Sequence, residues 1–313
     1  MALFGAVIIF HHNPLANPTD EIIKKIISCV VIVAACLIFG RWYDKFTQLP
    51  VELWQSRALI WKLAKNDFKK RYAGSSMGAV WAFIQPVVTV LMYYIVFDKV
   101  MGSASTPLRD GVEVPFVLFL TAGLVPWFFF NEALNNGTNA LLEYNYLVKK
   151  VVFKISILPI IKVIAALFIH AFFVLILLIV AAVYGYYPTV YTIQILYYSA
   201  CLFIFVLALS YTSCAVVVFF RDLSQIINIV LQIGMWATPI LWNIESLNST
   251  WVTILKLNPL VYVVNGYRSA VYERQWFFQD FYSTMYFWIV TVVLFGIGAL
   301  VFKRLKVHFA DVL

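Results

Sequence analysis

The sequence predicts an all-α polytopic membrane protein, and three observations lead to this fold class. Of the 313 residues, 63% are hydrophobic and only 12% are charged, and the mean hydropathy is +0.87. Soluble domains are usually about 45–50% apolar and about 25% charged, and one core could not bury this much apolar surface. Aromatic residues make up 18% of the chain, which is typical of proteins anchored at two membrane–water interfaces. The apolar runs are long and uninterrupted, which favours helices over the alternating strands of a membrane barrel.

Six apolar stretches are long enough, or nearly long enough, to cross a bilayer as helices. None of them contains Asp, Glu, Lys or Arg, and they lie at 77–97, 114–130, 163–183, 195–220, 226–242 and 285–302. If the segment before the first stretch is cytoplasmic, fourteen basic residues fall inside and five fall outside. The positive-inside rule predicts this asymmetry. We therefore expect six transmembrane helices per chain.

The region before the first span is predicted to have two parts. Residues 1–50 form an extension that contains a marginal hydrophobic helix at 22–43, which either spans the membrane or lies in its interface. Residues 51–76 combine an apolar arc with many Lys and Arg side chains, which predicts an amphipathic helix on the cytoplasmic surface. A helix packed on a soluble partner is the alternative for this segment. A transmembrane domain follows at 77–306, and a short cytoplasmic tail at 307–313.

The sequence contains no recognisable catalytic or metal site. None of the 13 Gly residues is followed by Lys, so no Walker A motif is present. The predicted spans hold no acidic residue for a proton or sodium relay, and His170 is interpreted as a hydrogen-bonded packing residue. The four Cys lie inside apolar runs without metal-ligand spacing. The net charge of +8 fits cytoplasmic loops beside anionic lipid better than a nucleic-acid partner. If a chain of this kind moves a substrate uphill, another polypeptide must supply the energy.

Three segments outside the spans carry further predictions. The loop at 141–154 mixes aromatic and aliphatic residues with charges at its ends, which suits a short helix that docks in a groove of another protein. The loop at 219–225 contains Arg221 and Asp222, which form either a helix-end charge pair or a partner contact. The outer stretch at 243–283 has apolar patches too short to span, so we expect helices that re-enter the membrane partway.

Several motifs, taken in order, resemble those of the ABC-2 type polysaccharide-export permeases. They cover residues 52–313 and read FKKRYAGSSMGAVWAFIQP at 68–86, GLVPWFFF at 123–130, NYLVKK at 145–150, FFRD at 219–222, LNPL at 257–260 and HFADVL at 308–313. This family includes the membrane subunits that export O-antigen, capsule, rhamnose-rich polymers and wall teichoic acid. The segment of residues 1–50 is longer than the usual amino terminus of the family, so the resemblance implies nothing about its structure or role.

The resemblance implies a homodimer that works with two copies of a separate ABC ATPase in a bacterial cytoplasmic membrane. The cargo would be an undecaprenyl-linked polysaccharide or wall teichoic acid. ATP and Mg would bind the partner subunit, and this chain would need no cofactor. The residues implied in coupling to the ATPase are Glu143, Tyr144, Asn145, Tyr146, Leu147, Lys149, Lys150, Phe153, Arg221 and Asp222. The residues implied in lining the polymer channel are Trp81, Tyr93, Trp127, Phe128, Phe129, Phe130 and Asn131.

Two other functions remain open from the sequence. The first is an ABC-2 permease for a small drug or lipid, which would keep the fold and change the cargo; the aromatic PWFFF segment disfavours it. The second is a polytopic lipid-linked sugar transferase. That enzyme would need acidic or His residues grouped at a membrane face, and the sequence shows no such group.

Overall fold

The computed structural model describes residues 50–71, 77–102, 105–107, 113–149, 154–244 and 248–313, with six isolated positions between residues 22 and 33. Residues 1–54 and 55–313 form two compact units, and all elements labelled below belong to the second. Most of the predicted hydrophobic helix at 22–43 lies outside the described residues. The described positions between 22 and 33 are helical, and whether the segment spans stays a prediction.

The second unit is built almost entirely of helices. In chain order these are α1 (Arg57–Arg71), α2 (Trp81–Tyr93), α3 (Phe116–Thr138), α4 (Ala140–Glu143), α5 (Asn145–Val148), α6 (Leu158–Val183), α7 (Gln194–Val217), α8 (Leu223–Ala237), α9 (Ser249–Leu255), α10 (Pro259–Arg268), α11 (Phe281–Leu305) and α12 (Phe309–Val312). Short 3₁₀ turns extend four of them, at Gly78–Val80, Ile155–Ile157, Val190–Ile193 and Lys306–His308. π-helical turns follow α2 at Tyr94–Val100 and α10 at Ser269–Glu273.

Four helices of the described part are long and apolar enough to cross a membrane. They run over Phe116–Thr138, Ile155–Val183, Val190–Val217 and Phe281–His308, where four of the six predicted spans lie. The other two predicted spans, 77–97 and 226–242, fall on the shorter apolar helices Val87–Phe97 and Leu223–Ala237. The α8 helix ends at Ala237 because Thr238 is extended (φ −95°, ψ 135°), the conformation that a following proline such as Pro239 favours.

A short two-stranded β-pair, which the sequence analysis missed, precedes α3. Strand β1 (Ser105–Pro107) pairs antiparallel with β2 (Glu113–Pro115), with Thr106 opposite Val114. Each strand ends in a proline, Pro107 or Pro115, and Pro lacks the donor that a central strand needs. A pair of three-residue strands at an edge tolerates them. The pair closes the connection between the end of α2 and the start of α3.

The α3 helix forms the centre of the bundle. It packs on α6, α7, α8 and α10, and 83% of its apolar window is buried, against 39% for α6 and 33% for α11. The close contact of α7 with α11 depends on Gly298, because a Cβ there would lie 2.8 Å from the Ala208 carbonyl oxygen. The faces of α6 and α11 that the chain leaves uncovered are apolar, as expected of helices in contact with lipid.

The predicted hydrogen-bonded role of His170 is confirmed. Its Nε2 atom lies 2.8 Å from the Tyr267 hydroxyl and 3.1 Å from the Ser199 hydroxyl, and the two hydroxyls are 2.6 Å apart. His170 stands on α6, Ser199 on α7 and Tyr267 on α10. This triangle pairs His170 Nε2 and two hydroxyls in an apolar interior and ties α10 to the bundle.

The LNPL motif at 257–260 acts as a helix start. The Asn258 side chain caps α10 by accepting a hydrogen bond from the Leu260 amide at 3.1 Å, and Pro259 occupies the first turn. The same Asn258 amide donates to the Thr238 hydroxyl at 3.0 Å. The motif therefore joins the end of α8 to the start of α10. Helices α9 and α10 are short, as the sequence predicted, and their re-entry into the membrane stays a prediction.

We predict that Gly298→Ala lowers the stability of the bundle. The added methyl group meets the Ala208 backbone oxygen at 2.8 Å, and overpacking of this kind costs about 1–3 kcal/mol, more than the helix propensity gained. Thermal unfolding of the chain in detergent micelles measures the effect. The neighbouring variant Ile297→Ala is the control, since Ile297 is exposed. Equal melting temperatures for the two variants would contradict the close contact of α7 with α11.

Candidate functional site

A cluster of charged side chains lies where α1 meets the bundle. Lys162 of α6 places its Nζ 2.7 Å from Asp67 Oδ1 and 2.5 Å from Glu143 Oε2. The Tyr144 hydroxyl donates to the same Asp67 oxygen at 2.5 Å. The side chains of Lys162 and Asp67 are only 4% and 6% exposed. We call Asp67, Glu143, Tyr144 and Lys162 the Asp67 cluster.

A second ion pair extends the Asp67 cluster to α3. Arg71 Nη1 lies 2.6 Å from Glu132 Oε1, and its Nη2 lies 3.5 Å from Asp67 Oδ2. Arg71 and Asp67 are one turn apart on α1, a spacing that brings two side chains onto one helix face. Through these contacts α1 is bonded to α3, to α6 and to the segment between them.

Burial requires the charges of the Asp67 cluster to be paired and keeps Tyr144 neutral. An unpaired charge in such a position would be costly, so each buried charge carries an opposite partner. Burial and the hydrogen bond to Asp67 raise the pKa of the Tyr144 phenol well above its usual value. Tyr144 therefore stays a neutral donor at physiological pH. Its ring also lies 4.9 Å from Lys162 Nζ, in a cation–π contact.

The position of α1 departs in part from the sequence prediction. Its cations Lys62, Lys65, Lys69 and Lys70 are exposed, as a surface helix requires, but its buried stripe consists of Ile60, Ala64 and Asp67. The rings of Trp61 and Phe68 both pack against Phe168 of α6. The helix thus packs on α6 along one face and has a carboxylate in the middle of its contact.

Two charges lie within helices that were expected to have uncharged spans. Glu132 is in α3 and Lys162 is in α6. The expected spans stopped at residue 130 and began at residue 163, because an apolar window excludes charges. The helices continue beyond those windows to the level of α1, where Arg71 and Asp67 neutralise both side chains.

The predicted coupling segment has one anchored face and one free face. It forms two single-turn helices, α4 and α5, broken at Tyr144, instead of one helix. Glu143 and Tyr144 are bonded into the Asp67 cluster, and Val148 is buried. Asn145, Tyr146 and Lys149 are exposed, and Leu147 is half-buried. Lys150 and Phe153 lie outside the described residues.

The second predicted coupling loop lies beside the first. Arg221 and Asp222 are both exposed in the turn between α7 and α8. Two residues later, the Ser224 hydroxyl donates to Asn139 Oδ1 at 2.8 Å, and Asn139 is the residue between α3 and α4. One surface of the molecule therefore presents both loops.

The aromatic residues predicted to line a channel are divided between two places. Trp127 and Phe130 lie in the wall of an apolar groove of about 510 Å³ that α3 forms with α7 and α8. Phe129 is buried against His170, and Phe128 packs on Phe173. Asn131 bonds to Asn135 one turn along α3.

The other two channel candidates are on the α2 helix. Trp81 is half exposed at its start. Tyr93 stacks on Phe97, which in turn contacts Phe116 at the start of α3. The structure therefore brings Trp127 and Phe130 together, and it places Trp81 and Tyr93 at separate points along α2.

Sequence reasoning assigned no function to Asp67 or Glu132, and it interpreted Lys162 only as a topology signal. The one available signal was the Asp67–Arg71 spacing on the predicted apolar face of α1. A carboxylate on that face predicts a buried partner. The partner itself is 95 residues away in sequence, so only the fold identifies it.

These features define a helical protein with four helices that can cross a membrane and with two exposed loops on one surface. The chain belongs to the ABC-2 type transporter family, whose model matches residues 58–272. It is 30% identical over 267 residues to the O-antigen export system permease protein RfbA of Myxococcus xanthus, covering 84% of this chain and 98% of that protein. It is 25% identical to RfbA of Klebsiella pneumoniae, covering 82% and 95% of the two chains. It is 23% identical to the polysialic acid transport protein KpsM of Escherichia coli, covering 76% and 90%.

We predict that Lys162→Met destabilises the chain far more than Asp67→Asn. The first change removes the close cation of the buried Asp67 carboxylate and leaves it the neutral Tyr144 hydroxyl and the Arg71 nitrogen at 3.5 Å; removing one partner of a buried pair costs about 3–5 kcal/mol. The second change leaves Lys162 paired with Glu143, and an Asn oxygen can still accept from Tyr144.

Thermal unfolding in micelles measures both variants, with Lys154→Met as the control because Lys154 is exposed. The expected order of melting temperatures is control, then Asp67→Asn, then Lys162→Met. A Lys162→Met variant as stable as the control would show that the Asp67 cluster contributes nothing to the fold.

Proposed function

We propose that this chain is the transmembrane subunit of an ATP-driven exporter of a lipid-linked cell-surface polysaccharide. The observation that carries the proposal is the coupling segment of α4 and α5, bonded to the two helices α1 and α6 on one face and exposed on the other. The ABC-2 family match and the export functions in the names of the relatives support the same class of cargo. Undecaprenyl-linked O-antigen or capsule is the proposed cargo, with wall teichoic acid as the related possibility.

The proposed energy source is a separate ABC ATPase, present in two copies with two copies of this chain. ATP and Mg would bind that partner, since this sequence has no Walker A motif. The exposed Tyr146 and Lys149 would contact the ATPase, with Arg221 and Asp222 on the adjacent turn. Movement of the ATPase would displace α4 and α5, and the Asp67 cluster would transmit the displacement to α1 and α6.

We further propose that α2 and α8 complete six spans in the assembled transporter. Helical turns continue from Gly78 to Val100, long enough at about 1.5 Å per residue for a hydrocarbon core of about 30 Å. The α8 helix exposes a run of large apolar side chains, which only lipid or a second copy of the chain can cover. These are Ile226, Ile229, Val230, Ile233 and Trp236. The short helices α9 and α10 would re-enter the membrane from the outer side.

The channel proposal centres on the groove that holds Trp127 and Phe130. Gly234 of α8 leaves space there, because a Cβ at this position would lie 3.1 Å from the Trp127 ring. Two such grooves facing each other across a homodimer would offer aromatic surfaces along which sugar rings slide. The other predicted channel residues would line the same channel or pack behind the residues that line it. These are Trp81, Tyr93, Phe128, Phe129 and Asn131.

One observation favours a second candidate, an ABC-2 permease for a small lipid or drug. The groove at Trp127 is almost wholly apolar in its lining, as a site for a lipid chain would be. A lipid-linked polymer also carries such a chain, so the groove fits both cargoes. Measuring whether the transporter moves polymer or only small amphiphiles in proteoliposomes separates them.

We predict that Tyr146→Ala and Lys149→Glu uncouple ATP hydrolysis from export without loss of the fold. Both side chains are exposed, so truncation or charge reversal changes the docking surface and leaves the core intact. A loss of about 2 kcal/mol at a central interface residue would lower export about thirtyfold at a given ATPase concentration. Polymer export and ATP turnover, measured together in proteoliposomes, test this.

The matched control is Tyr187→Ala, an exposed tyrosine in the connection between α6 and α7 at the opposite end of these helices. It should export normally. Normal export by both the Tyr146 and Lys149 variants would show that α4 and α5 do not form the ATPase contact.

A further inference from the structure

A second cavity lies at the end of the bundle opposite the Asp67 cluster. It has a volume of about 490 Å³ and is lined by residues of α3, α7, α9, α10 and the start of α11. Its wall is held in place by Gln194, the first residue of α7. The Gln194 amide donates to the Gln275 carbonyl at 2.8 Å and accepts from the Phe277 amide at 2.7 Å. A cavity of this size, formed by fixed elements, has the dimensions of a small-molecule site.

A buried guanidinium lines this cavity. Arg268 is 3% exposed, and its Nη2 donates to the Ile240 carbonyl at 3.1 Å. Its Nη1 makes a long 3.5 Å contact with Asn265 Oδ1, and the group lies 3.6 Å from the centre of the Phe119 ring. Its Nε has no hydrogen-bond partner. No carboxylate in the described part of the chain lies within ion-pair distance of it.

A second polar group in the same cavity also lacks a partner. The Tyr272 hydroxyl is buried, makes no hydrogen bond, and belongs to the lining. Buried polar groups in folded proteins are nearly always satisfied, and an unsatisfied one calls for an explanation. A buried cation is costly when its charge is only partly compensated, and the charge of Glu273, which also lines the cavity, acts on Arg268 without a close ion pair. The two groups together indicate a ligand that carries negative charge and accepts hydrogen bonds.

The rest of the lining indicates the ligand's other part. The rings of Tyr262, Trp276 and Phe277 face the cavity beside polar groups such as Asp280. The faces of aromatic rings carry partial negative charge, so they suit the C–H faces of a sugar ring. Carboxylate and amide groups between the rings can bond its hydroxyls.

We propose that this cavity binds one anionic sugar unit, with its carboxylate on Arg268 and Tyr272 and its ring among the aromatic side chains. The inference rests on the proposed export of a polysaccharide. It identifies that substrate as an acidic polysaccharide. The cavity lies within one chain, apart from the groove at Trp127, so it would hold a unit of the polymer as it leaves the transporter.

The test is saturation-transfer NMR on the full-length chain in lipid nanodiscs, with glucuronate, glucose and inorganic phosphate as probes. We expect glucuronate to bind about tenfold more tightly than glucose, since a charge-assisted contact is the stronger one. Tyr272→Phe should weaken glucuronate binding several-fold and leave the fold intact, because the hydroxyl it removes has no protein partner. Arg268→Gln should abolish the preference for glucuronate over glucose. Tyr187→Phe is the matched control and should bind as the natural chain does.

Three results would overturn the inference. They are equal binding of glucuronate and glucose, unchanged glucuronate binding in Tyr272→Phe, and phosphate binding as tight as that of glucuronate, which would indicate a lipid headgroup or free anion. Polymer export measured on the same chains separates this inference from the proposed function. A chain that exports polymer without binding glucuronate contradicts the inference alone, whereas a chain that exports no polymer contradicts the proposed function.

Discussion

The ion pair between Asp67 and Lys162 is the constraint that organises one end of this molecule. At 2.7 Å and an effective dielectric constant of about 20, two unit charges attract by about 6 kcal/mol. Removing both charges from water costs several kcal/mol for each, so the pair contributes little net stability. Its effect is on position. Each of the two charges can stay buried only while it is paired with the other, so the pair fixes α1, α6 and the segment between α3 and α6 in one arrangement. Glu143 and Tyr144 use the same two charges, so the coupling segment cannot shift without disturbing them.

The other end of the bundle depends on neutral polar contacts instead. Asn258 links the end of α8 to α10, and the triangle of His170, Ser199 and Tyr267 fixes α10 against α6 and α7. There Arg268 is buried with a carbonyl and a ring for partners. Ion pairs thus join the helices at one end, whereas the opposite end holds the cavity beside Arg268. The difference between the two ends follows from where the charged side chains lie.

The sequence predicted much of the architecture and little of the site. Long uncharged runs identified the four helices that can span, and LNPL at 257–260 starts a helix as its Asn-Pro pair favours. The spans predicted at 77–97 and 226–242 fall on shorter apolar helices, and hydropathy does not register the extended Thr238 that ends α8 before Pro239. The sequence alone could not show which side chains of the coupling segment are exposed and which are bonded to the bundle. A short run such as Glu143–Tyr144 shows its role only when Asp67 and Lys162, far apart in the chain, come together.

The central claim is that the Asp67 cluster transmits motion as well as joining helices, and the double variant Asp67→Asn with Lys162→Met separates the two roles. Removing both charges leaves no unpaired buried ion, so the fold should remain close to the natural chain in stability. The measurement is the amount of polymer exported for each ATP hydrolysed, in proteoliposomes that contain the chain and its ATPase. The account predicts that this ratio falls several-fold while ATP hydrolysis continues. An unchanged ratio in a stable double variant would contradict it.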